Sequence, residues 1–547
     1  MHRFLFSLSV LIALVGATGH AQPKPKKNAR PDRPRLVVGI VVDQMSYDFL
    51  VRYRGKFGSG GFRRLLDGGY NCENTHYDYV PTYTAPGHAS VYTGSVPAIH
   101  GIIGNEWYNR GTRKSLYCTE DTTEGTVGSS SKAGLMSPRN LLTTTITDQL
   151  RLASREQSKV IGVALKDRGA ILPAGHLGNA AYWFDSFSGN WITSTYYARE
   201  LPAWVQAFND KKFPNQYLSQ PWTPLVAANQ YASSSTADDQ PFEGTLAGEA
   251  KPVFPHDLPK IRKEDFELLR FTPYGNTLTK DFAVAALQNE NLGKGSATDF
   301  LAVSFSSTDY VGHVFGPYSM EAEDTYLRLD HDLADLLGFL DRHVGKDNLL
   351  VFLTADHGVA PSPGHATTLR IPGGAFNGRQ AVEEVKTQLQ AAFGPGEWVE
   401  NYSNQQLFLN HGLLRDKKLD VAALYPVIRD AMLKQNGVSN VVNLHALSDA
   451  MLPDYQAGLI RNGQNGQRSG DLMVLLQPNW MEGRPQGSTH GSFFAYDTHV
   501  PLLWYGWKIK PGRSAERTAI SDIAPTLANL LGLLEPNGSI GKVIRLE

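Results

Sequence analysis

Residues 36–43 read LVVGIVVD, an apolar, β-branched run that stops on an aspartate. A strand with one wet face alternates apolar and polar residues. This run does not, so both of its faces are expected to be buried. Similar runs recur: KVIGVAL at 159–165, leading into Lys166-Asp167-Arg168; DFLAVSFSSTD at 299–309; NLLVFLTADHG at 348–358; DLMVLLQ at 471–477; and VPLLWYG at 500–506. Helical patterns alternate with them, in FGSGGFRRLLDGG, LLTTTITDQLRLASR, EDTYLRLDHDLADLLGFLDRHVG and SDIAPTLANLLGLL. That order predicts an α/β fold with a mostly parallel central sheet and helices on both faces. Two stretches interrupt it. Residues 185–280 are rich in aromatics and loops, with a polar tract, YASSSTADDQ. Residues 366–468 carry two helical patterns, AVEEVKTQLQAAF and DVAALYPVIRDAMLK, and suggest a small α+β insertion.

The chain has 547 residues, a formal net charge of −1, 41 % hydrophobic and 19 % charged residues. That balance suits a large globular core. It gives no electrostatic basis for bulk binding to nucleic acid or to an anionic membrane. The first 21 residues combine a weakly basic start, a short apolar run and small residues before Gln22, the pattern of a cleaved export signal. The apolar run is short for a membrane span. Residues 22–35, QPKPKKNARPDRPR, read as a flexible lead-in. A periplasmic protein is therefore expected, and its two cysteines, Cys72 and Cys118, are expected to form one structural disulfide.

Ligands bind beyond the carboxyl ends of the strands in open parallel sheets. Three of the runs lead to aspartates there: Asp43, Asp309 and Asp356. Singly, each is an ordinary turn residue or helix cap. Gathered at one edge they repel one another unless cations intervene. Histidines accompany them. Asp309 and His313 are four apart, on one face of a helical turn. His357 adjoins Asp356, and His490 lies in the Gly/Ser-rich loop QGSTHGS. Carboxylate oxygen with imidazole nitrogen suits zinc. Thr84, in YVPTYTAPGHAS, stands where a helix is about to begin, ahead of Pro86 and Gly87.

In order, VVGIVVDQM, PTYTAPGHAS, GIIGNEW, STDYVGH, TADHG, STHG and SDIAPTL resemble the motifs of the alkaline phosphatase superfamily. The likeness runs from residue 36 to the end, with both interruptions as insertions in one catalytic domain, 36–547. The threonine together with the Lys-x-Arg of LKDR resembles the PafA-type, phosphate-irrepressible monoesterases. The resemblance implies a three-layer α/β sandwich and two Zn2+ per subunit. Asp309, His313 and His490 would hold one ion. Asp43, Asp356 and His357 would hold the other, with Thr84 completing its shell. It further implies Thr84 as the nucleophile that becomes a phosphothreonine, and Asn105, Lys166 and Arg168 as contacts to the phosphoryl oxygens, with Lys166 in place of a third metal. The substrates implied are small phosphate monoesters, and a monomer is expected.

Alternatives stand beside that reading. Lys166 and Arg168 are also what a solvated loop would show, and Asn105 beside Gly104 is an ordinary turn. His88, His100, His365 and His499 are expected to support or pack rather than to bind metal. The aromatics of 185–280 are expected to form local core. A nucleotide pyrophosphatase or phosphodiesterase of the same superfamily would share the zinc set. A zinc- or phosphate-binding protein without catalysis is the alternative from a different class. Sulfatases are disfavoured, because no C-x-P-x-R or S-x-P-x-R occupies the nucleophile position.

Overall fold

The computed structural model describes residues 32–546. The expected signal at 1–21 and most of the lead-in lie outside the described residues. Leu36–Val42 is the hub of an eleven-stranded sheet. It pairs in parallel with Leu349–Thr354 on one side and Asp299–Phe305 on the other. Val160–Ala164 and Ala180–Asp185 continue the parallel block. All the residues of these five strands are buried, as the unbroken apolar runs require. Each fully buried Val or Leu contributes about 1.5–3 kcal/mol of transfer free energy.

Two helix layers provide that burial. Thr84–Thr93, Ile146–Ala153, Asp167–Ala174 and Ile523–Leu531 pack together in one. Met320–His343, Tyr274–Asn289 and Phe62–Gly68 pack together in the other. Gly39 lets the first layer approach closely: a Cβ there would lie 2.5 Å from the Tyr92 hydroxyl and 2.6 Å from the Phe352 ring. Helix starts follow their caps. Thr145 and Asp148 form a reciprocal capping box, so LLTTTITDQLRLASR becomes helical only at Ile146. Ser319 accepts from the Ala322 N–H ahead of the 24-residue Met320–His343 helix.

Two of the apolar runs behave differently from the parallel block. Leu502–Gly506 joins the sheet antiparallel to Leu349–Thr354. Leu472–Leu476 lies in a separate four-stranded antiparallel sheet with Val399–Ser403, Gln406–Leu409 and Val438–Asn443. Helices Gly378–Phe393 and Val421–Leu433 pack on each other and enclose its hydrophobic cluster. A run buried on both faces reads the same in either direction and in either sheet, so periodicity did not separate them. Within 185–280, Trp191, Trp222 and Tyr231 are buried in the main core, and Trp191 stacks on Phe282 at 4.2 Å.

The expected disulfide is absent. Cys72 and Cys118 are both free and buried. Cys72 belongs to the main core, and Cys118 to a smaller cluster with Ala85 and Trp107. Burial pushes both thiols up to about 12, so neither is a ready thiolate. Two thiols per chain are expected to react with a thiol reagent in denaturant without reductant, and none in the native protein. A count of zero in denaturant would contradict this arrangement.

Candidate metal centre and active site

The carboxyl edge of the parallel block gathers the candidate residues. Asp43 directly follows Leu36–Val42, and Asp356 and His357 follow Leu349–Thr354 by two and three positions. Asp309 and His313 sit in the helix Ser307–Phe315 that follows Asp299–Phe305. Lys166 stands immediately before the helix Asp167–Ala174 that follows Val160–Ala164. His490 enters from the distant loop after Trp480–Glu482.

Two compact triads form. Asp43, Asp356 and His357 bring ligand atoms within 4.8 Å of one another, and so do Asp309, His357 and His490. His313 Nε2 lies 3.1 Å from Asp309 Oδ1, and His490 Nε2 lies 3.6 Å from the same oxygen. The rings of His357 and His490 stack at 3.4 Å. Each imidazole directs Nδ1 at a backbone carbonyl: His313 at Ser488, His357 at Gly358 and His490 at Thr82, at 2.7–2.9 Å. A carbonyl only accepts, so each ring carries its proton on Nδ1. That leaves the Nε2 lone pair facing the cluster, the tautomer a metal ligand needs.

The electrostatics demand cations. Asp43 and Asp356 are fully buried. Neither Asp43 oxygen, nor Asp356 Oδ2, receives a directed hydrogen bond among the described residues. Burial, aided by the Asp356 carboxylate, pushes the Asp43 carboxyl well above its ordinary range. Burial likewise lifts Asp356 to about 6. Burial would raise Asp309 too, but His313 and Lys166 beside it hold it well below that range. Burial drives His357 down to about 4. Once the three imidazoles present bare Nε2 atoms to a metal, Lys166 is the one fixed cation among the described residues in contact with any of these three carboxylates. An uncompensated buried carboxylate costs several kcal/mol. The donor set fits bound divalent metal.

Lys166 is buried, not solvated. Its Nζ donates to Asp309 Oδ2 at 2.6 Å and lies 2.6 Å from Asp43 Oδ2. It thus bridges one carboxylate from each triad. Arg168 is half-buried in the first turn of the next helix, rather than in an extended segment. Its Nη1 donates to the Tyr117 hydroxyl at 2.8 Å, and Tyr117 donates in turn to Asp167 at 2.9 Å.

Thr84 opens the helix Thr84–Thr93, whose ten residues are all buried. Its Oγ1 lies 3.4 Å from His357 Nε2. Gly87 permits this placement: a Cβ there would meet the Asp356 carbonyl oxygen at 2.2 Å. The Ala85 N–H donates to Asn105 Oδ1 at 2.9 Å. That bond orients the Asn105 amide and leaves its NH2 end free to donate.

Supporting residues fall into view only in three dimensions. Gln44, with φ 64°, donates from Nε2 to Asp309 at 2.6 Å and from its backbone N–H to Asp356 at 3.1 Å. Nothing in its place after Asp43 signals this, beyond adjacency to a strand end. Tyr117 had no signal either, since its partner Arg168 lies 51 positions away. His88 donates from Nδ1 to the Thr84 carbonyl and meets Ser304 Oγ through Nε2, both at 2.9 Å. His100 binds Ser90, His365 packs on Tyr318, and His499 stacks on Tyr47.

The chain is similar to known proteins over most of its length. Residues 37–497 match the type I phosphodiesterase / nucleotide pyrophosphatase family. The chain is 45 % identical to the alkaline phosphatase PafA of Elizabethkingia meningoseptica, over 99 % of this chain and 98 % of that one. A protein of Myroides odoratus named calcium-transporting ATPase is 47 % identical over 94 % of each chain. Among the described residues, no helix is long and apolar enough to cross a membrane. A crystal structure of wild-type alkaline phosphatase PafA superposes with a TM-score of 0.91 at 46 % identity, covering 94 % of this chain and 99 % of that one. The chain belongs to the type I phosphodiesterase / nucleotide pyrophosphatase family and, within the alkaline phosphatase superfamily, to the PafA-type alkaline phosphatases.

Proposed function

We propose that this protein hydrolyses small phosphate monoesters with two zinc ions, through a covalent phosphothreonine at Thr84. The observation that carries the reading is the placement of the Thr84 hydroxyl at a buried helix start, 3.4 Å from His357 Nε2 and so at the rim of the ligand cluster. Asp309, His313 and His490 would hold one ion, and Asp43, Asp356 and His357 the other, with Thr84 beside it. When bound, the ions supply Lewis-acid charge that favours the threonine alkoxide and stabilises the leaving oxygen.

The chain's own groups do the rest. Thr84 Oγ1 attacks phosphorus, a threonine–phosphate bond forms, and the ester P–O bond breaks. The alcohol departs after taking up a proton. Water then attacks phosphorus from the opposite side, the threonine–phosphate bond breaks, and inorganic phosphate leaves as Thr84 regains its proton. The Asn105 amide NH2, freed by the Ala85 bond to its oxygen, donates to a non-bridging oxygen. Arg168, steadied by Tyr117, offers guanidinium N–H groups to the same phosphoryl group. Lys166 adds fixed positive charge where a third metal would otherwise stand.

The family's name describes diester and pyrophosphate cleavage, and that is the competing reading. A diester carries one fewer anionic oxygen. Lys166 and Arg168 place two positive charges near the transferred group, and such charge favours the more anionic monoester transition state. Export to the periplasm by a signal at 1–21, a monomeric state, and a catalytic domain over 36–547 with insertions at 185–280 and 366–468 belong to the same proposal. The residue pattern of the first 21 positions supports the export.

Thr84→Ala is expected to lower monoester kcat/KM by about a thousandfold or more while zinc stays bound, measured by phosphate release and metal analysis. Arg168→Ala is expected to lower kcat/KM about a hundredfold for an aryl phosphate and much less for a methyl aryl phosphate. Equal losses on the two substrates, or a wild-type preference for the diester, would sink the monoester assignment. Chelation is expected to abolish turnover, and added zinc to restore it. Full zinc binding without turnover would instead identify a non-catalytic binding protein.

A further inference from the structure

A second convergence of donors lies outside the residues assembled above, at the end of the four-stranded sheet. Asp471 is 1 % exposed. Its Oδ2 accepts from the Leu409 N–H and from Arg110 Nη2, both at 2.7 Å, which fixes the carboxylate in orientation. Its Oδ1 meets His411 Nε2 and His445 Nε2, each at 2.8 Å. His411 is the first residue of the helix His411–Lys417. His445 sits in the turn after Val438–Asn443, where its N–H donates to Asn443 Oδ1 at 3.0 Å. The three ligand atoms all lie within 4.8 Å of one another. The imidazole side chains are 41 % and 52 % exposed.

As a purely protein clamp, this arrangement needs both rings to carry a proton on Nε2. Nothing imposes that tautomer, because no hydrogen bond among the described residues uses Nδ1 of either ring. Two imidazole nitrogens and one carboxylate oxygen are the donor set of zinc and its borderline neighbours. Calcium and magnesium take oxygen ligands instead. Ligand atoms around a tetrahedral zinc lie about 3.3 Å apart at its usual bond lengths. Shifts of about half an ångström in two exposed rings would therefore open the cluster to an ion, with water completing the shell. Arg110, held on the other oxygen, sets a positive charge beside such an ion and weakens the site relative to the buried centre.

We propose that His411, His445 and Asp471 form a separate, weaker, solvent-open site for a zinc-class divalent cation. Arg110 lies in the turn between the strands Glu106–Asn109 and Lys114–Tyr117. An ion on Asp471 would thus fasten the sheet, the His411 helix and this hairpin at one point.

The test is zinc uptake by the full-length protein against buffered free zinc, with metal per chain measured at saturation. Wild type is expected to take up one equivalent more than the His411→Ala/His445→Ala double variant, at higher free zinc than its other equivalents. The double variant is expected to retain monoester turnover within about twofold, which reports that it folds. His445→Ala alone, at a half-exposed turn residue, provides the same comparison independently. The one-equivalent difference is read whatever the catalytic centre binds, so its failure is distinguishable from failure of the phosphatase reading. Equal saturation counts in wild type and variants would overturn the proposal and leave a hydrogen-bonded clamp.

Discussion

Concentrated buried negative charge is the constraint on which this structure depends. Asp43, Asp309 and Asp356 converge at the carboxyl edge of a parallel sheet, and two of them are wholly removed from solvent. Burial first, and repulsion from the neighbouring carboxylates second, draws the Asp43 and Asp356 pKa values upward. Lys166 answers part of that charge by bridging Asp43 and Asp309. The remainder calls for divalent metal. Fold and chemistry are joined at this point, since the apolar strands that bury the edge also make cations necessary there.

Much of the fold was legible in the order of apolar runs. Unbroken β-branched stretches ending in polar turns marked the buried parallel block from LVVGIVVD outward. Direction was not legible, and Leu502–Gly506 runs antiparallel because hydrophobicity carries no polarity along the chain. Nor was sheet membership, which pairing decides, as Leu472–Leu476 shows. The disulfide expectation failed because compartment says nothing about where two side chains end up. Cys72 and Cys118 occupy separate clusters.

At the site, the metal-type residues were visible because carboxylates and imidazoles at strand ends have few bland explanations in combination. The groups that orient them were invisible. Gln44, Tyr117 and His88 act through partners remote in sequence or through backbone carbonyls, and their residue types are common everywhere. The same holds for His411, His445 and Asp471, which are brought together by antiparallel pairing in the four-stranded sheet. A local motif can announce a ligand, but a supporting hydrogen bond is a property of the packed chain.

The hairpin Glu106–Tyr117 ties Asn105 and Arg168 to one short ribbon. Asn105 precedes its first strand, Tyr117 ends its second, and the Asn105 carbonyl accepts the Cys118 N–H at 2.9 Å to close its base. One end therefore holds the Asn105 amide by its oxygen, and the other steadies the guanidinium of Arg168. Lengthening, tilting or loosening this ribbon would shift both side chains at once. Through the proposed phosphoryl contacts, a designer seeking altered selectivity would find here one lever rather than two.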